Sequence, residues 1–229
     1  MLRHLLGFDM TRRMFWLMAK PGPLRDYYRM DYATLDTAWC EVDYLAIDLE
    51  TTGLDPTKHE ILSFGFVPIR DGAVRLGEAR HLLVRPTRPI PEETAVIHGL
   101  LDGHLESAPP LDAVLPEVLE ALSGRVPVAH YAPVERRFLT AACQSLYGLP
   151  LTVPYVDTLR LESRMMERAQ RSVVPGTLRL NAARERYGLP RYKAHNAMMD
   201  AIAAAELFLA QVDHMGTKKP PRLDELATG

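Results

Sequence analysis

Cysteine is scarce in this 229-residue chain: Cys40 and Cys143 are the only two, and they form no CxxC pair. That excludes a disulfide framework and a thiolate zinc site and fits a reducing cytoplasm, the location expected here. Long apolar runs are also missing. None approaches the ~20 residues of a membrane span, so no membrane partner is expected. Thr11-Arg12-Arg13-Met14-Phe15 resembles a twin-arginine export signal, but the apolar run behind it, Met14 to Ala19, is stopped by Lys20 and Pro21. That is shorter than the ~7–15 residues of a signal core, so export is not expected. An excess of charge is lacking too: 27 Lys and Arg against 29 Asp and Glu give a formal net charge of −2. The near-zero sum excludes neither a nucleic-acid partner nor an acidic metal site, because local distribution decides both. What the chain does have is a 47% hydrophobic and 24% charged composition, sufficient for one medium-sized soluble domain with attachments.

Three regions follow from the patterning. Residues 1–40 read as an N-terminal helical extension, broken at Pro21-Gly22-Pro23 and too short to bury a core alone. Residues 41–214 alternate between strand and helix patterns and form the main domain. Residues 215–229 read as a flexible C-terminal tail. Strands are expected over Val42–Leu49, Ile61–Arg70, Ala73–Val84, Arg125–His130 and Val153–Val156. Helices are expected over Pro91–His98, Leu111–Leu122, Pro133–Leu146, Thr158–Ala169, Leu178–Tyr187 and Asn196–Gln211. Early strands followed by strand–helix alternation imply an α/β layer with a mixed central sheet flanked by helices.

Three stretches carry chemistry. In Ala46-Ile47-Asp48-Leu49-Glu50-Thr51-Thr52-Gly53, strand periodicity turns Leu45, Ile47 and Leu49 to one face and Asp48 and Glu50 to the other. Paired carboxylates in a buried strand repel each other, and a hard divalent cation relieves this. A strand end reaching solvent, with both acids hydrated, is the plainer alternative. In His195-Asn196-Ala197-Met198-Met199-Asp200, Asn196 suits an N-cap, which puts Asp200 early in the last helix and His195 in its non-helical lead-in. The pair can then reach one site from two directions, or simply cap a helix at the surface. In His130-Tyr131-Ala132-Pro133-Val134-Glu135, Glu135 falls on the first turn of a helix, where the helix dipole alone would favour a carboxylate. From Arg136 to Lys193 there are eleven basic residues against four acidic ones, which serve either phosphate contact or solvated helix faces. The loop Arg171–Gly176 is the part of this region expected to touch a strand.

Taken in order, these stretches resemble the DnaQ-like, DEDDh-type 3′–5′ exonuclease family, which includes the proofreading epsilon subunit of bacterial replicative polymerase, RNase T and oligoribonuclease. Asp48 and Glu50 match its first motif, and His195 with Asp200 its third. Thr94-Ala95-Val96-Ile97-His98-Gly99-Leu100 is similar to its element between motifs one and two, and Asp157-Thr158-Leu159 stands where members often carry the same three residues. The second motif departs: Tyr131 replaces the usual Asn, Val134 the usual Phe, and Glu135 the usual Asp. The resemblance implies an RNase H-like α/β exonuclease fold and release of nucleoside 5′-monophosphates from 3′ ends. It implies two bound ions, Mg²⁺ or Mn²⁺, held by Asp48, Glu50, Asp200 and Glu135. It makes His195 the general base, a role suited to imidazole near neutral pH. It implies that Thr51, Thr52, Gly53, Leu54 and His98 hold the terminal nucleotide. The partner is a nucleic acid with a free 3′ end, DNA favoured over RNA, and no polymerase or other protein partner is identified. RNA trimming is the alternative within enzymology. A catalytically weakened nucleic-acid-binding module is the alternative outside it, motivated by Glu135.

Overall fold

The computed structural model describes residues 2–89, 105–193, 195–216 and 219–228. Its centre is β1 (Tyr44–Thr51), buried along nearly its whole length. The antiparallel β2 (Ile61–Arg70) lies on one side and the parallel β5 (Val126–Ala129) on the other. Beyond β5 come the parallel β6 (Tyr155–Asp157) and the antiparallel β7 (Ala227–Thr228). The outer edge of β2 pairs with β3 (Ala73–Val74) and β4 (Arg80–Leu83). The sheet is therefore mixed, with seven strands among the described residues.

Helices cover both faces, because β1 is apolar on both. Leu45, Ile47 and Leu49 join a core with Tyr27 and Tyr28 of α2 (Pro23–Arg29), with α3 (Leu111–Leu122) and with α4 (Pro133–Tyr147). Tyr44 and Ala46 join a second core with α5 (Thr158–Arg168) and with Ala205, Phe208 and Val212 of α7 (Ala197–His214). Between α5 and α7 lies the short α6 (Leu180–Glu185). The expected α/β architecture with a mixed sheet flanked by helices is what the structure shows.

The 1–40 region holds α1 (Leu2–Met18) and α2. Phe8, Phe15 and Trp16 of α1 pack on the first core. Arg12, 6% exposed, donates to the Tyr28 carbonyl at 2.8 Å and to the Met30 carbonyl, and pairs with Asp9. The arginine that gave the export-like pattern thus joins α1 to the end of α2. No helix among the described residues is long and apolar enough to cross a membrane.

Three local expectations are corrected. The stretch 73–84 is not one strand: after Val74 a 3₁₀ turn at Leu76–Glu78 intervenes before β4. The helix expected over 178–187 is confined to Leu180–Glu185. Residues 219–228, expected as part of a flexible tail, carry α8 (Leu223–Leu226) and β7, with Leu223, Leu226 and Ala227 buried in the second core. Apolar residues spaced along a Pro-rich segment were too few to show as a period. The helix expected over 91–98 lies outside the described residues.

Candidate active site

The site forms at the end of β1 that faces the first turns of α4 and α7. Strand alternation sends Asp48 and Glu50 to the α7 side, away from the face that Leu45, Ile47 and Leu49 present to the first core. Asp48 pairs across the sheet with Gly65, and Glu50 with Ser63. The register slips between Glu50 and Thr51, where β1 leaves the sheet. Gly65 is required there by close approach. A Cβ on it would lie 2.0 Å from the Ala197 carbonyl carbon and 2.1 Å from the Met198 nitrogen, so the backbone of α7 rests directly on β2.

That contact delivers Asp200. Asn196 caps α7 by accepting from the Met199 N–H at 3.1 Å, and His195 precedes it with a left-handed φ of 66°. Asp200 Oδ2 accepts the His195 N–H at 2.8 Å, which fixes the turn that carries the imidazole. Ligand oxygens of Asp48, Glu50 and Asp200 all lie within 4.8 Å of one another. Glu135 stands outside that group but lines the same cavity of about 240 Å³, together with His195, His130, Val134, Thr51 and Leu54. Glu135 is 3% exposed, and its Oε2 is buried without a hydrogen-bond partner.

The electrostatics follow from crowding. Burial, then the charges of Glu135, Glu50 and Asp200, push the Asp48 carboxyl well above the ordinary carboxylate range. Burial pushes Glu135 up to about 8, opposed by a backbone hydrogen bond and reinforced by the Asp157 charge. Burial also raises Asp200, against the His195 N–H bond that favours its charged form. Four carboxylates at one cleft, one with an orphaned buried oxygen, make a hard-oxygen donor set that fits a divalent cation.

The expected nucleotide-holding residues divide. Thr51 and Leu54 line the cavity. Thr52 and Gly53 shape the turn behind it: Thr51 Oγ1 donates to the Gly53 carbonyl at 2.8 Å, and Thr52 Oγ1 accepts the Glu60 N–H at 2.9 Å. The His59 ring covers Gly53 so closely that a Cβ there would lie 2.5 Å from it. His98 lies outside the described residues. Sequence reasoning gave His130 no role, yet its ring lines the cavity, with Nδ1 2.9 Å from Thr158 Oγ1 and Nε2 2.8 Å from the Leu178 carbonyl. A carbonyl only accepts, so Nε2 carries the proton. Burial lowers the His130 pKa and favours this neutral form. Asp157, a further buried carboxylate near the cleft, is occupied as the cap of α5: its Oδ1 accepts from the Tyr131, Leu159 and Arg160 N–H groups.

Comparison with known proteins bears on the fold and the reaction class. The pattern of the RNase_T exonuclease family matches residues 45–208. A DNA polymerase III PolC-type protein of Thermotoga petrophila is 32% identical over 191 residues, 83% of this chain but 13% of its own length. The DNA polymerase III subunit epsilon of Aquifex aeolicus is 28% identical over 177 residues, 76% of this chain and 83% of its own. The nuclease domain of 3′hExo, a DEDDh family member solved bound to rAMP, superposes with a TM-score of 0.65 at 16% identity, covering 78% of this chain and 95% of that one. The chain thus spans a small fraction of the PolC-type relatives it matches.

Proposed function

The chain belongs to the RNase_T exonuclease family, and from that premise we propose that it removes nucleoside 5′-monophosphates from the 3′ ends of single-stranded DNA with two Mg²⁺ or Mn²⁺ ions. The observation that carries this reading is the meeting of Asp48, Glu50 and Asp200 within 4.8 Å, beside His195 and the buried, unpartnered Glu135 oxygen. Asp48, Glu50 and Asp200 would hold the cations, with Glu135 supporting the second. When bound, the ions supply charge stabilisation for the phosphate oxygens and a more acidic water.

The remaining steps belong to the chain. His195, exposed at the mouth of the cleft, takes a proton from the attacking water. The bond from the His195 backbone N–H to Asp200 fixes the turn that carries that imidazole beside the cavity. Thr51 and Leu54 orient the terminal nucleotide on a turn made stiff by Thr52 and His59. DNA is favoured because the two relatives described above are DNA polymerase III proteins. The test is purified protein on matched single-stranded DNA, duplex DNA and RNA with Mn²⁺, Mg²⁺ or EDTA. Metal-dependent loss of single-stranded DNA is expected. RNA as the preferred substrate overturns the DNA assignment, and turnover in EDTA overturns the metal reading.

A further inference from the structure

Arg160, Arg164 and Arg168 recur every four residues on α5, so they form one ridge that rises about 6 Å per step. The helix starts at the active cleft, where Thr158 holds the cavity-lining His130. None of the three guanidinium groups makes an ion pair among the described residues. The acids of α5 are engaged elsewhere: Glu162 with Arg186, Tyr187 and Gln211, and Glu167 with Ser163. Nearby arginines are compensated, Arg184 by Glu206 and Arg186 by Glu162. The ridge thus lacks the ion pairs that Arg184 and Arg186 make.

Its middle member carries most of this imbalance. Arg164 is half-buried, and its Nη2 is buried with no hydrogen-bond partner. Burial and the charges of Arg168 and Arg160 lower its pKa. Arg164 and Arg168 line a pocket of about 330 Å³ with His214, over an apolar floor that includes Leu161, Met165 and Pro221. Glu225 also lines it and is occupied in part by the Arg222 N–H. From Asp200 to His214 the helix α7 rises roughly 20 Å, so this pocket lies several nucleotides from the carboxylates.

We propose that the α5 ridge and the pocket at its end bind the backbone phosphates of a single strand upstream of the 3′ end seated in the cleft. A row of uncompensated arginines matches a row of phosphates, and the apolar floor accepts a base or sugar beside them. This inference rests on the nuclease reading of the cleft. The test is the triple variant R160Q/R164Q/R168Q, compared with R13Q/R25Q/R29Q, which removes three arginines from α1 and α2. Binding of a fluorescent dT12 is measured in EDTA across a salt series, and hydrolysis of a dinucleotide and of dT12 in Mn²⁺.

For the ridge variant, dT12 affinity should fall about tenfold at low salt, and the slope of log affinity against log salt should shrink by about 2, since each phosphate contact to a single strand contributes about 0.7. Dinucleotide hydrolysis should match wild type, and the control variant should keep the wild-type slope. An unchanged slope, or an equal loss in the control, overturns the ridge. Equal loss on dinucleotide and dT12 assigns the arginines to the fold and overturns it too. The expected binding change with no hydrolysis of either substrate by wild type supports the ridge and overturns the nuclease reading instead.

Discussion

Gly65→Ala tests whether the contact between β2 and α7 sets the active site. The added Cβ would stand 2.0 Å from the Ala197 carbonyl carbon and 2.1 Å from the Met198 nitrogen. Carbon–carbon contact needs about 3.5 Å, so the start of α7 must retreat by roughly 1.5 Å. Both obstacles are backbone, so no rotamer change relieves them. Overpacking of this kind costs about 1–3 kcal/mol. Asp200 lies on the displaced turn and Asp48 lies opposite Gly65 in the register, so their separation should grow. A misplacement of about 1 Å can cost ~10²-fold in rate, and that is the loss expected in turnover. The assay is single-turnover cleavage with thermal unfolding alongside. Gly77→Ala, with nothing within 4 Å of its added Cβ, is the control. Wild-type turnover in Gly65→Ala would refute the claim that this contact positions Asp200.

Other outcomes follow from the same geometry. His195→Ala should lower turnover ~10²–10⁴-fold while stabilisation by Mn²⁺ persists, measured by kinetics and thermal unfolding; collapse of the metal effect would make His195 a ligand or a structural residue. Glu135→Gln should weaken Mn²⁺ binding and cut activity, and wild-type cleavage at every metal concentration would make Glu135 a bystander. In EDTA, the raised Glu135 pKa means that the folded protein holds a proton the unfolded chain releases, so stability should fall as pH rises from about 4.5 to about 8. Unfolding of Glu135→Gln across that range should show a shallower fall, and an identical slope would remove Glu135 as a cause.

Much of the site was legible because strand alternation and helix capping act locally. Asp48 and Glu50 share a face by a two-residue period, and Asn196 marks the start of α7. The meeting of the two segments was legible only through the family resemblance and not from local patterning, because it depends on Gly65 admitting a helix backbone against a strand. Nor was the role of His130, whose partners Thr158 and Leu178 are 28 and 48 residues away. The C-terminal elements were missed because β7 exists only through pairing with β6, and its own short sequence carries no strand pattern.

The central claim is that the carboxylate cleft hydrolyses a strand from its 3′ end. The direct measurement is digestion of one oligonucleotide in Mn²⁺, blocked at either the 3′ or the 5′ terminus, with products separated by chromatography. The 5′-blocked strand should yield nucleoside 5′-monophosphates one at a time while the 3′-blocked strand stays intact. Release beginning at the 5′ end, or internal fragments from the 3′-blocked strand, would contradict it.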